Sequence, residues 1–202
     1  MKPGPVSLVT LVLLASIGAG CSVFPESAPM QLLDPRLPPA DAAAGAGASW
    51  SLDVARPEAD PMRDSTRVLV RTGGGRLQVH ASARWVAASP DLFRTLLVRY
   101  MRDREMLEGV GGDVPLAERT LALDLRRFEL AEDDGGSLAA DIRIEARLYD
   151  SASAELLARR LFEARRSIPS SDAAAISAGF ETALAEIIPA TAEWAVAHGR
   201  AD

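Results

Sequence analysis

The run "SLAADIRIEARLYD", residues 137–150, decides the fold. In it Leu138, Ala140, Ile142, Ile144, Ala146 and Leu148 fall on one side of an extended chain, and Asp141, Arg143, Glu145 and Arg147 fall on the other. Alternation of this kind is the period of a β-strand with one buried face, and it leaves the charged face to solvent or a partner. Upstream, across the acidic turn "EDDGGS", Leu121, Leu123 and Leu125 alternate in the same way; the phase slips at Arg126-Arg127, and Phe128 and Leu130 resume it. A slip of one residue predicts a β-bulge. Downstream, a short turn at Asp150 to Ala154 leads into Glu155 to Ile168, whose period is ambiguous by itself. The short turn favours a third strand, with Ala158, Phe162, Ala164 and Ile168 sharing one side with Arg160 and Arg166.

Further outward, "SWSLDV" alternates Trp50, Leu52 and Val54 with polar residues and reads as the opening strand. "RVLVRT" and "RLQVHA" flank Gly73, Gly74 and Gly75, a hairpin signal. The stretch "TGGGR" lacks the Gly-Lys-Ser/Thr ending of a phosphate loop, so it reads as a turn. Ser89-Pro90-Asp91 starts a helix by its capping Ser, early Pro and first-turn acid, and Leu92, Phe93, Leu96, Leu97 and Tyr100 form its apolar face. Gly109 to Gly112 read as its end. A last helix runs from Asp172 to about His198, with Ile176, Phe180, Ala183, Leu184, Ile187, Thr191 and Trp194 as its stripe. Pro189 lies within it and predicts a kink or break near Ile188. The expected fold class is therefore α+β: an antiparallel-rich sheet of about five or six strands with two main helices packed on it.

Composition excludes several functions. The 202-residue chain carries a net charge of -6, whereas nucleic-acid binders draw affinity from a basic surface. One cysteine forms no intrachain disulfide, and His80 and His198 are the only histidines, so a His/Cys metal site has few ligands to draw on. His80 reads as a strand or surface residue and His198 as a cation at a helix end. No strained Gly-x-Ser-x-Gly elbow or placed Ser/His/Asp set is present, and the chain reads as a non-enzyme with no catalytic residue, metal or cofactor.

The N-terminus carries its own information. Lys2 precedes an apolar stretch from Val6 to Ile17, about a dozen residues against the roughly 20 that a spanning helix needs, and small residues follow. Residues 1–20 thus read as a signal peptide. "GAGC", Gly18 to Cys21, resembles a bacterial lipobox, in which the Cys thiol takes a diacylglyceryl group and becomes the first mature residue. Several acyl chains anchor stably where one is marginal. Ser22 follows in place of an inner-membrane-retaining Asp, an address for the outer membrane on its periplasmic side. Residues 21–48, with Pro25, Pro29, Pro35, Pro38, Pro39 and an Ala/Gly tract, read as a semi-stiff tether, and 49–199 as the folded domain.

The lipobox at Cys21, the strand at Trp50, "VLVRTGGGRLQVHASARW" from Val68 to Trp85, the helix from Pro90, "RFE" at Arg127 to Glu129 and the closing helix together resemble the ABC-type transport auxiliary lipoproteins, the PqiC-like periplasmic subunits of MCE-type lipid transport systems. Ser49-Trp50 stand where that family's opening strand carries paired tyrosines. The resemblance implies a lipid-anchored adaptor that docks onto an MCE-domain protein, with an ABC permease and ATPase behind it; a homo-oligomer is left open. The alternative is a stand-alone envelope lipoprotein that binds a ligand or scaffolds an assembly. Trp85 reads either as a core anchor between helix and sheet or as part of a docking surface. Arg143 and Arg147, with Arg159 and Arg165, read either as a basic docking stripe or as solvated ion pairs.

Overall fold

The computed structural model describes residues 29–39 and 47–200. The stretch read as a signal peptide, Cys21 and Ser22 lie outside the described residues. Among the described residues, eight strands and two helices follow in the order β1 (Gln31–Leu33), β2 (Ala48–Val54), β3 (Arg67–Arg71), β4 (Leu77–Trp85), α1 (Ser89–Asp103), β5 (Leu107–Gly111), β6 (Arg119–Glu132), β7 (Leu138–Asp150), β8 (Leu156–Ile168) and α2 (Ala173–Gly199).

The centre of the sheet is the antiparallel meander β6-β7-β8. β7 pairs with β6 from Leu138 opposite Glu132 to Asp150 opposite Arg119, and with β8 from Leu138 opposite Ile168 to Tyr149 opposite Leu156. The register shifts between Leu125 and Arg127, so the predicted bulge is present, and it keeps Phe128 on the same face as Leu125. In β8, Phe162, Ala164 and Ile168 are buried as expected. Arg160 and Arg166 share that side by using their heads: Arg160 lies 4.9 Å from the Phe162 ring centroid, and Arg166 pairs with Glu186 of α2.

The far edge of β6 carries two strands in tandem. β2 runs parallel to its start, with Val54 opposite Leu121, and β3 runs parallel to its end, with Leu69 opposite Glu129. Between them the chain stays on the same edge, because the Glu58 amide donates to Leu123 O at 2.8 Å and Leu125 donates back to Glu58 O at 2.8 Å. β5 extends the sheet beyond β2, and β4 and then β1 extend it beyond β3. The sheet is thus mixed and eight-stranded, which corrects the expected antiparallel five or six. Parallel neighbours come from distant parts of the chain and leave no hairpin signature, which is why the sequence pattern missed them.

Two further differences have local causes. Gln31–Leu33, inside the stretch read as tether, is a strand whose Leu33 is buried against the sheet; three residues are too few to show a period. The helix α1 stops at Asp103, followed by Glu105 at φ 48°, and Gly109–Gly111 belong to β5 instead of ending the helix. The helix α2 starts where the sequence predicts, with the Asp172 side chain accepting from the Ala175 amide at 3.0 Å. Of the expected kink or break at Pro189 the break does not occur, and the helix continues through the proline. Burial of Ile187, Ile188, Thr191 and Ala192 on both sides of the proline holds the turn, and the Thr191 hydroxyl donates to Ile187 O at 2.7 Å. Both helices share one aliphatic and aromatic core with the sheet.

Candidate docking face

The sheet has two unlike faces, and β6 shows why. Phe128 points into the core: its ring centroid lies 5.3 Å from Trp85 and 4.9 Å from Phe180 of α2, and Trp85 lies 4.7 Å from Phe180. Trp85 is 1% exposed, so it takes the core position of its two readings and presents nothing to a partner. Its indole N–H makes no hydrogen bond within the described residues, so its contribution is packing.

Glu129, the next residue, points to the other face and is fully buried there. Two guanidinia hold it: Arg63 from the loop after β2, and Arg71 of β3, whose Nε lies 2.5 Å from Glu129 Oε1. Arg63 also pairs with Asp60, whose carboxylate accepts from the Met62 amide at 2.9 Å. Burial pushes the Asp60 carboxyl up, but the hydrogen bond and charge of Arg63 outweigh this with help from the loop amides, and it sits below the usual carboxylate range. Further along the same loop, Arg56 bridges Asp64 and Asp91 of α1 with bonds of 2.6 and 2.7 Å. Those bonds, to Asp64 first and Asp91 second, raise Arg56 above the ordinary arginine value. The sequence motifs "RT", "RFE" and "ARW" therefore meet at one place: Arg71 on Glu129, and Trp85 on Phe128.

From Glu129 the open face continues as a lattice of charges. Asp141 stands directly across from Glu129 and is 4% exposed, with Arg127 Nε at 3.4 Å and Arg165 at 3.9 Å. Burial raises its carboxyl above the usual range, and the two arginines only partly offset this. Arg143 Nε lies 3.0 Å from Glu163 Oε1, and Arg127 shares that carboxylate at 2.9 Å. Arg147 lies 3.8 Å from Glu58 and 3.9 Å from Glu145, and Arg126 pairs with Glu145 at 2.7 Å. Arg143 and Arg147 are thus together on one face and both are engaged by acids. Arg159 and Arg165 flank them on β8, opposite Arg147 and Asp141.

Beside this lattice lie exposed apolar side chains that the sequence reading did not single out. Leu157 is 40% exposed and Leu161 37%, and Leu161 stands opposite Glu145 on the open face. Their signal was available: once Phe162 and Ala164 face the core, Leu161 must face out. The edge of β8 away from β7 has no strand on it among the described residues. Apolar side chains set among paired charges suit a protein contact better than chemistry. Neither histidine joins the face: His80 Nε2 lies 3.0 Å from Ser171 O, and His198 Nδ1 lies 2.8 Å from Trp194 O. Among the described residues no group of three His, Cys, Asp or Glu side chains is placed to hold a metal ion.

Comparison with known proteins bears on this arrangement. A crystal structure of a protein from Xanthomonas campestris matches with a TM-score of 0.78 and 31% identity, covering 84% of this chain and 96% of that one. An uncharacterised protein (TM-score 0.64, 14% identity, covering 83% of this chain and 99% of its own) shares the fold. So does a hypothetical protein from Chlamydia trachomatis (TM-score 0.56, 9% identity, covering 77% and 100%). None of the curated proteins compared with the chain matches it. The sequence profile of the ABC-type transport auxiliary lipoprotein component matches residues 32–192, from the end of β1 deep into α2, and the chain belongs to that family.

Proposed function

We propose that this protein is a non-enzymatic, lipid-anchored accessory subunit of an MCE/ABC-type lipid transport system. In this reading Cys21 carries the lipid, Ser22 directs it to the outer membrane, and the domain faces the periplasm. The open face of β6-β7-β8 then docks onto the MCE protein, whose ABC permease and ATPase partners consume the ATP. The observation that carries the reading is the family match over 32–192, which names an auxiliary lipoprotein of an ABC system. The unlike faces of the sheet agree with it: one face is committed to the core, and the other keeps Leu157 and Leu161 among paired charges.

The test is a photo-crosslinking amino acid at Leu161, with the exposed Glu193 of α2 as control, in native cells that express an MCE-type transport system. An MCE subunit captured from position 161 and not from 193 supports docking through this face; no MCE subunit from either position overturns the adaptor reading. Cys21→Ala tests the anchor separately. The variant should stay unprocessed and lose its acyl label, and an unchanged label removes lipidation at this residue.

A further inference from the structure

Away from the charge lattice, α1 and the turn just after β5 frame a basic cleft of about 580 Å³ lined by Arg94, Thr95, Val98, Arg99, Arg102 and Gly112. Three guanidinia in one cleft stand out in a chain of net charge -6. Two of them are pre-set. Arg94 Nε donates to Val54 O at 2.7 Å, and Arg102 Nε donates to Val110 O at 2.8 Å. Those bonds fix the planes of the two forks, while the terminal nitrogens of both make no hydrogen bond within the described residues. Arg99 makes no hydrogen bond or ion pair within them at all.

Gly112 leaves room for this arrangement. A Cβ there would stand 1.6 Å from an Arg94 terminal nitrogen, and the backbone at Gly112 is not in the left-handed region. A side chain at 112 would therefore push the Arg94 head out of its present place. Two acids attend the cleft. Asp103 contributes to its wall, and Asp113, almost fully exposed, approaches Arg94 at only 3.8 Å. Three cations against these two leave the cleft positive, and an exposed carboxylate at that distance is readily displaced.

A second hollow, of about 160 Å³, adjoins this cleft and shares Arg99 and Asp103 with it. Its floor is apolar: Leu37, Pro38, Leu96 and Tyr100, with the Arg104 guanidinium 3.8 Å above the Tyr100 ring. Pre-set guanidinium forks match a phosphoryl group, because each fork presents paired donors to its oxygens. An apolar hollow one side chain away suits the hydrocarbon attached to that group.

From this juxtaposition we infer that the α1-β5 cleft binds the phosphoryl headgroup of an anionic lipid, with the start of its apolar part in the Leu37-Leu96-Tyr100 hollow. The site is separate from the docking face, and its test does not depend on any transport partner. Full-length protein is held in dodecyl maltoside micelles doped with dioleoyl phosphatidylglycerol or, in parallel, dioleoyl phosphatidylcholine, and bound lipid is counted by native mass spectrometry across a titration. One phosphatidylglycerol per chain is expected, tighter than phosphatidylcholine. Arg99→Glu with Arg102→Glu should weaken it roughly 100-fold or more, the loss expected for charge-assisted bonds to two guanidinia. Gly112→Ala, which displaces Arg94, should weaken it in the same direction. The milder Arg99→Gln with Arg102→Gln stands in if charge reversal lowers the melting temperature. Phosphatidylglycerol binding that survives both arginine pairs overturns the inference. So does complete displacement of the lipid by inorganic phosphate at matching concentration, which would make the site one for the free ion.

Discussion

Phe128 and Glu129 are neighbours on β6 and face opposite sides of the sheet, one in the Trp85-Phe180 aromatic cluster and the other fully buried under Arg63 and Arg71. The same two residues thus tie α2 to the sheet on one side and the loop after β2 to it on the other. A charge removed from water is costly unless it is paired, so Glu129 commits Arg63 and Arg71 to their positions.

Arg63→Met should therefore cost about 3 kcal/mol of stability, because it leaves Glu129 buried with one partner in place of two. Adding Glu129→Gln to Arg63→Met should recover part of that loss, since the uncompensated charge is gone. The urea midpoints of the parent and the two variants check this. A single Arg63→Met as stable as the parent would mean that the pair contributes nothing.

Trp85→Ala should cost about 3 to 5 kcal/mol through the cavity it opens against Phe128 and Phe180. Trp85→Phe should cost clearly less, because the indole N–H has no bond to lose and an aromatic ring remains in the cluster. Thermal denaturation followed by circular dichroism orders the two. Equal losses would assign a role to the indole nitrogen that its surroundings do not provide.

The meander around β7 was legible because both of its faces announce themselves by alternation, and even the bulge showed as a one-residue slip at Arg126-Arg127. The rest was hidden for physical reasons. Leu69 pairs with Glu129 in parallel, 60 positions along the chain, and nothing local marks such a partner. β5 carries Gly109 and Gly111, which read as a helix stop, while the residue that actually turns the chain, Glu105, has no turn signature in its type. At the site, Arg143 and Arg147 were found because they alternate on a strand. Glu129 was not marked as buried, because a glutamate alternating with core residues looks the same whether water or two arginines cover it.

Asp141 gives a pH prediction with a definite sign. Burial holds its folded-state carboxyl above the usual range, so the native chain binds that proton more tightly than the unfolded chain does. The stabilisation from that proton is fully present below the unfolded value of about 3.9 and is lost as the pH rises through the folded value. At pH 7 the ionised Asp141 is therefore a net burden, set among Arg127, Arg165, Glu129 and Glu163. Asp141→Asn should melt higher than the parent at neutral pH, and the gap should close as the pH falls below about 4. A gap that stays constant from pH 7 to pH 3 would show that the amide acts by packing or hydrogen bonding and not by removing the charge.

Gly179 sets how closely α2 approaches the end of β8. A Cβ on Gly179 would stand 2.0 Å from Ile168 Cγ2, far inside contact distance, and both residues are buried. Gly179→Ala gains helix propensity, about 1 kcal/mol in an exposed helix, but here the overlap should outweigh the gain and leave a loss of about 1 to 3 kcal/mol. Ile168→Ala opens a cavity by itself and should also destabilise, yet it removes the atom that the new methyl strikes. The double variant should therefore be more stable than the sum of the two single losses predicts, with a coupling of about 0.5 kcal/mol or more. Strictly additive losses in a double-mutant cycle would mean that α2 shifts away from the sheet instead of meeting Ile168, and that the close helix approach at Gly179 is not fixed by β8.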